Sequence, residues 1–317
     1  MAALDPHPDP HHDEGEVPLP DGRRLGWASF GDPDGEAVLW FHGTPGGRYQ
    51  VPVGTNLAGR ANGFRVITVE RPGTGRSCNH HHRSVRHFAG DVEAAADGLG
   101  IDRFAVAGLS GGGPYTLAVA HELDGRVVTS AVLGGLAPSV GPSAVFSYTQ
   151  LTTVAQALLT PLRRALGPLM RFGLDGVAAQ APGIYEAYAK VNGRADLDIM
   201  MRPDVMAMFL HDITQAGPLR APLHDLTLFG RPWGFDPAKI TSPVLLWHGD
   251  ADHIVPLVHG KRLAKSIPNS RLTLMPGKGH FGGFAEVDDV LGTIRAVWDG
   301  TDTVIGHQRH HPEGSAT

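Results

Sequence analysis

Apolar or β-branched runs of five to eight residues recur along this chain, and between them apolar residues return every three or four positions. Residues 37–41, 65–69, 104–109, 126–133, 243–247 and 271–275 are such runs. A strand that is apolar on both faces belongs inside a parallel sheet covered on both sides. Helical spacing fits residues 53–62, 84–99, 115–122, 257–267 and 284–298. Phe88, Val92, Ala95 and Leu99 form one stripe, and Val290, Ile294 and Val297 another. Strands alternating with helices predict an α/β fold, with a mostly parallel central sheet and helices on both faces. Residues 24–30 differ, because Leu25, Trp27 and Ser29 share one face and turns flank the run at Pro20-Asp21-Gly22 and at 31–35. That pattern predicts an antiparallel edge strand. Residues 1–18 are Pro, His, Asp and Glu with little to bury, and are expected to be a disordered tail.

After Gly135 the rhythm stops. From 136 to 236 there is no clear strand, and helical stretches fit residues 143–166, 175–191 and 202–216. Such an insertion predicts an α-helical cap over a core made of 19–135 and 237–299, with a second tail at 300–317. The inserted segment carries Phe146, Tyr148, Met170, Phe172, Tyr185, Tyr188, Met200, Met201, Met206, Met208 and Phe209. Most are expected to pack the cap helices together and a few to shape an apolar substrate pocket. Trp233 and Phe235 are expected to pack where the cap rejoins the sheet.

Composition narrows the function classes. The chain has 317 residues, enough for one large α/β domain with an insertion, and 42% of them are hydrophobic. Its formal charge of −5 argues against nucleic acid as a partner. No apolar run is long enough to span a membrane, and the N-terminus lacks the basic start and apolar stretch of a signal peptide. A single cysteine, Cys78, excludes an internal disulfide, so a cytoplasmic location is expected. The histidines cluster at His11-His12, His80-His81-His82 and His310-His311, but no spacing matches a zinc pattern, and neither metal nor cofactor is expected.

The chemistry centres on Gly108-Leu109-Ser110-Gly111-Gly112, which stands between a strand and a helix. A strand turning sharply into a helix strains the residue at the bend and pushes its side chain out above the sheet. Neighbours two positions away must then be small, as Gly108 and Gly112 are. The same turn can serve a phosphate, but the longer phosphate-loop pattern with its lysine is missing. A serine hydroxyl is a weak nucleophile and needs a base, and the base needs a partner that fixes its tautomer. Functional groups in parallel sheets gather at the carboxyl ends of strands. Three such ends supply the required types, in the order Ser110, Asp252 and His280. The backbone N–H of Gly111, next after the serine, is the expected first donor to an oxyanion.

These features resemble the α/β-hydrolases that carry a helical cap. The resemblance covers about residues 20–299. It rests on His42-Gly43-Thr44-Pro45, Arg71-Pro72-Gly73-Thr74-Gly75-Arg76-Ser77, the glycine-flanked Ser110, His248-Gly249-Asp250-Ala251-Asp252 and Gly279-His280, each following its own strand. It implies serine hydrolase chemistry in which Ser110 attacks a carbonyl, His280 acts as base and then acid, and Asp252 orients His280. The family pattern His-Gly-x-x-Asp selects Asp252 and leaves Asp250 as a turn residue. By the same resemblance the second oxyanion donor is the N–H of Thr44, since Pro45 has none. His42 is expected to brace this loop, and Glu70 with Arg71 to make a structural ion contact. His121, His211 and His259 are expected to be structural.

The leading expectation is cleavage of a small apolar carboxylic ester or thioester through an acyl-serine. The alternatives are a carbon–carbon bond hydrolase of diketone type, a small-residue aminopeptidase, and a non-catalytic receptor of the same fold. The aminopeptidases resemble His-Gly-Gly-Pro-Gly at the oxyanion loop, where this chain has Thr44. Epoxide and haloalkane hydrolases carry aspartate at the position of Ser110, which disfavours them.

Overall fold

Burial on both faces is what the apolar runs require, and a single eight-stranded sheet provides it. A computed structural model of the chain describes residues 11–145, 193–216 and 220–302, with a few positions between 183 and 190. The strands are β1 (Asp13–Pro18), β2 (Arg24–Gly31), β3 (Glu36–Phe41), β4 (Phe64–Val69), β5 (Phe104–Leu109), β6 (Val127–Leu133), β7 (Val244–Gly249) and β8 (Ser270–Met275). They lie in the order β1-β2-β4-β3-β5-β6-β7-β8. From β4 to β8 every neighbouring pair is parallel, and β1 and β2 add an antiparallel end.

The pleat sends alternate side chains to two separate cores. Leu39, Phe41, Val106 and Leu246 pack on one side with Phe88, Val92 and Leu117. Val38, Trp40, Ala107 and Leu245 pack on the other with Ala58, Val290 and Ile294. The first side is covered by the helices α2 (Phe88–Gly98) and α3 (Gly112–Glu122). The second is covered by α1 (Thr55–Ala61) and by a helix at the C-terminal end of the fold, Val287–Trp298. Each fully buried Val, Leu, Ile or Phe contributes about 1.5–3 kcal/mol over leaving it in water, so the two cores fix the sheet whose strand ends carry the site.

The N-terminal expectation is corrected in part. Asp13 to Pro18 are not a disordered tail: they form β1, antiparallel to β2 with Val17 opposite Leu25. β2 is antiparallel as expected, but β1 and not β2 is the edge, and β2 is buried on both faces. Residues 1–10 lie outside the described residues. Two other boundaries shift. The helix expected over 84–99 opens with a 3-10 turn at Val85–His87, and the last helix is preceded by a 3-10 turn at His280–Ala285.

Between β6 and β7 the described residues hold helices and no strand: α4 (Arg194–Met200), α5 (Pro203–Ala216) and α6 (Arg220–Phe229). α5 coincides with the helix expected at 202–216. The helices expected at 143–166 and 175–191 fall almost wholly outside the described residues, as do Phe146, Tyr148, Met170, Phe172 and Tyr188. Phe209 of α5 packs against Phe281 and Phe284, with ring centroids 5.5 and 5.1 Å away. Trp233 is buried beside Phe235, as expected for the junction with the sheet. Beyond α6 come α7 (Val258–Ser266) and α8 (Val287–Trp298).

Candidate active site

The bend between β5 and α3 places Ser110 in the left-handed region at φ 53°, the one non-glycine residue with positive φ among the described residues. A non-glycine residue held there stores about 1–3 kcal/mol of strain. The surroundings enforce it. Ser110 N–H donates to Leu133 O at 2.8 Å, and Ser110 O accepts from Gly113 N–H at 3.0 Å. A Cβ on Gly108 would lie 2.8 Å from Gly112 O, and one on Gly112 would lie 2.1 Å from Phe41 O. The glycines therefore serve the close passage of three strand and helix ends around the serine.

Two other strand ends converge on the same point. His280 Nε2 lies 2.8 Å from Ser110 Oγ, and His280 Nδ1 lies 2.8 Å from Asp252 Oδ2. A carboxylate only accepts, so Nδ1 carries the proton of the neutral imidazole and Nε2 is left to accept from the serine hydroxyl. Asp252 is fixed through its other oxygen, which accepts from the N–H groups of Ile254 and Val255 at 2.9 and 2.7 Å. His248 Nε2 stands 3.5 Å from Asp252 Oδ2 and donates to Val255 O. Burial holds the His248 imidazole below its ordinary pKa and favours the neutral ring. Asp250 takes no part in this line, because its carboxylate accepts from Gly277 N–H at 2.7 Å.

The loop after β3 borders the serine. A Cβ on Gly111 would stand 3.2 Å from Thr44 N and 2.4 Å from Thr44 Oγ1, so the two expected oxyanion donors are neighbours and a side chain at 111 would have to displace that of Thr44. The Thr44–Pro45 peptide is cis. His42 is buried, with Nδ1 donating to Gly43 O at 2.8 Å and Nε2 accepting from Arg71 N–H at 3.3 Å. Burial and the nearby Arg71 charge hold its pKa well below the usual range, so the ring braces the loop as a neutral group.

Glu70 and Arg71 are both in ion contacts, but not with each other. Glu70 pairs with Arg48 at 2.7 Å, whereas Arg71 pairs with Asp225 at 2.8 Å and donates to the carbonyls of His42 and Gly43 at 2.6 Å. The expectation of one shared contact is corrected to two separate ones, because successive residues leaving a strand point opposite ways. Among the remaining histidines, His259 Nδ1 accepts from Ala137 N–H and burial lowers its pKa to about 4. His211 packs edge-on against Tyr49, and His121 contacts Glu122. His80 and His82 pack edge to face with His82 on Asp91, while His81 turns away to face His224, so the three rings of the run do not meet at one point. Among the described residues no group of three or more His, Cys, Asp or Glu side chains is placed to share a metal ion.

A family model described as "Alpha/beta hydrolase family" matches residues 38–293. The chain belongs to the α/β-hydrolase family. It is an enzyme, a hydrolase. This hydrolase is 30% identical to the "Probable proline iminopeptidase" of Streptomyces coelicolor over 319 aligned positions, covering 96% of this chain and 91% of that protein. It is 26% identical to the "Bifunctional esterase/perhydrolase DCH" of Acinetobacter calcoaceticus, covering 89% of this chain and all (100%) of that one. An esterase structure from Exiguobacterium antarcticum superposes with a TM-score of 0.67 at 17% identity, covering 90% of this chain and 100% of that chain, which speaks to the fold. Among the described residues of this hydrolase no helix is long and apolar enough to cross a membrane.

Sequence reasoning missed three polar residues beside the site of this hydrolase. Asp196, Asp212 and Asp225 are buried, one on each of α4, α5 and α6. Each sits on its helix's apolar stripe: Asp196 with Ile199 and Met200, Asp212 with Val205, Met208 and Phe209, Asp225 with Ala221, Leu228 and Phe229. A carboxylate recurring at a position the periodicity reserves for apolar residues was the available clue.

Proposed function

We propose that this hydrolase cleaves a small apolar carboxylic ester or thioester through an acyl-Ser110 intermediate, with helices of the 136–236 segment capping the site. The observation that supports this reading is the continuous hydrogen-bonded line Ser110–His280–Asp252, which starts at a strained serine. The neutral His280 Nε2 takes the hydroxyl proton as Ser110 Oγ bonds to the carbonyl carbon. The carbonyl oxygen becomes an oxyanion held by the N–H groups of Gly111 and Thr44. The C–O or C–S bond then breaks, and the leaving alkoxide or thiolate receives the proton from His280. Water then attacks the acyl carbon, giving up a proton to His280; the bond from that carbon to Ser110 Oγ breaks, Oγ takes the proton back from His280, and the carboxylic acid leaves. Each oxyanion donor is worth about 2.7–4 kcal/mol of barrier, while Asp252 stabilises the transient imidazolium.

A fluorophosphonate probe should label the wild-type protein, and Ser110→Ala should abolish both labelling and turnover of short p-nitrophenyl esters. Turnover that survives Ser110→Ala rejects the reading. The similarity to the Streptomyces coelicolor protein favours one second reading, an aminopeptidase on the same three residues. A prolyl or alanyl p-nitroanilide cleaved faster than p-nitrophenyl acetate at equal concentration would select it.

A further inference from the structure

The three aspartates of α4, α5 and α6 are all buried, and each meets a different set of groups around the site. Asp196 accepts from the N–H groups of His280 and Phe281 at 3.0 and 2.7 Å, one on each oxygen. These are orphan donors at the start of the 3-10 turn, which has no cap of its own. Gly279 is glycine for the same reason, since a Cβ there would lie 2.3 Å from Asp196 Oδ1. Asp212 accepts from Gly47 and Tyr49 N–H at 2.8 and 3.0 Å, at the far end of the oxyanion loop. Asp225 accepts from Thr44 Oγ1 at 2.9 Å, from Arg71 Nε at 2.9 Å and from Tyr115 O–H at 2.7 Å.

We propose that Asp196, Asp212 and Asp225 are positioning residues through which the helices above the sheet set the base and the oxyanion loop, Asp196 holding the backbone of His280 and the other two holding the loop from Thr44 to Tyr49. Three buried carboxyl groups, two of them with pKa values raised by burial, are an expensive way to join helices to a sheet that apolar side chains already attract. Five of their partners lie on the segments that carry the reacting groups: the N–H groups at 280 and 281 on the turn that bears the base, those at 47 and 49 on the loop that bears Thr44, and the side chain of Thr44 itself. Arg71 joins the same frame, since it bonds the carbonyls of His42 and Gly43 as well as Asp225. The helices are thereby part of the catalytic frame, and a substrate that lifts them disassembles it.

The inference rests on the Ser110 reading, and its test separates the two. Asp196→Asn, Asp212→Asn and Asp225→Asn keep shape but replace one accepting oxygen with an NH2 group. Each folded variant should lose at least tenfold in kcat on p-nitrophenyl acetate with KM within about twofold, and should react correspondingly slowly with the fluorophosphonate. Asp196→Asn should also move the acid limb of kcat/KM to lower pH, because a negative charge beside the imidazole is gone. The charged and titratable groups facing that ring are Asp252 and Asp196, with His248 behind Asp252 and the Lys278–Glu286 pair at the rim. An aspartate whose charge the imidazole does not feel would leave that limb where it was. Folded variants with kcat within twofold of wild type overturn the proposal. If an Asn variant does not fold, the Ala variant at that position is judged by the same criterion. Amide exchange in the wild-type protein gives a reading independent of activity: the N–H groups of Gly47, Tyr49, His280 and Phe281 should exchange as slowly as those of β5, and rapid exchange overturns the clamp. Wild-type protein that is never labelled at Ser110 but shows slow exchange at those four amides rejects the ester reading while leaving the contacts themselves intact.

Discussion

At the scale of single residues, the bend at Ser110 shows how a reactive group is made by its neighbours. The serine is strained because Gly108 and Gly112 let strand and helix ends pass closer than any Cβ allows. Gly112→Ala should therefore destabilise the protein by about 1–3 kcal/mol, since the new methyl meets the backbone carbonyl of Phe41 and neither side can give way cheaply. Urea unfolding measures this, and an unchanged midpoint would mean the bend is looser than its contacts imply. These glycines were readable in the sequence because their spacing around a serine, after an apolar run, has few other uses. His280 and Asp252 were readable as residue types at strand ends. Asp196, Asp212 and Asp225 were not, because their partners lie far along the chain and local periodicity carries no record of a distant N–H group.

At the scale of elements, the parallel strands announced themselves because burial on both faces demands an unbroken apolar run. β1 did not, for the opposite reason. Its residues Asp13-Glu14-Gly15-Glu16-Val17-Pro18 are mostly polar or strand-averse, and only Val17 resembles a strand's usual contents. It is held instead by the ladder to β2 and by Glu14, which reaches Arg48 at 3.0 Å, Arg76 at 2.6 Å and the Tyr49 hydroxyl. Deleting residues 1–18 should uncover one edge of β2, unpair Arg76 and leave Arg48 with Glu70 as its carboxylate partner. The expected cost is a thermal midpoint lower by about 5 °C or more, together with greater aggregation, since an open strand edge recruits other chains. A midpoint within 1–2 °C of the full chain, on the order of experimental scatter, would assign β1 no stabilising role.

At the scale of the whole molecule, three crossovers deliver three side chains to one point while three helices between β6 and β7 reach back to the segments that carry them. That two-way dependence has a signature in global stability. Burial raises the Asp212 pKa to about 7, against the two N–H bonds that lower it. The folded protein thus keeps that proton up to about pH 7, whereas the unfolded chain releases it near pH ~4. Between those values the folded state binds more protons, so raising the pH removes stability that is fully present below the unfolded value. Asp212→Asn should flatten this part of the stability curve, as read by denaturant midpoints from pH 4.5 to 7.5. Equal slopes in variant and wild type would place the Asp212 titration elsewhere.

The side chain of Gln50 has a consequence of another kind. Its amide oxygen accepts from Gly43 N–H, its amide nitrogen donates to Pro45 O at 3.0 Å, and its own carbonyl accepts from the Trp40 indole at 2.9 Å. One glutamine thus measures the distance across the turn from both ends, like a spacer cut to length. Surface connections in most proteins grow or shrink freely over generations; this one cannot gain or lose a single residue without orphaning its own ruler, so length variants engineered between 43 and 50 should be rejected even where point changes are accepted.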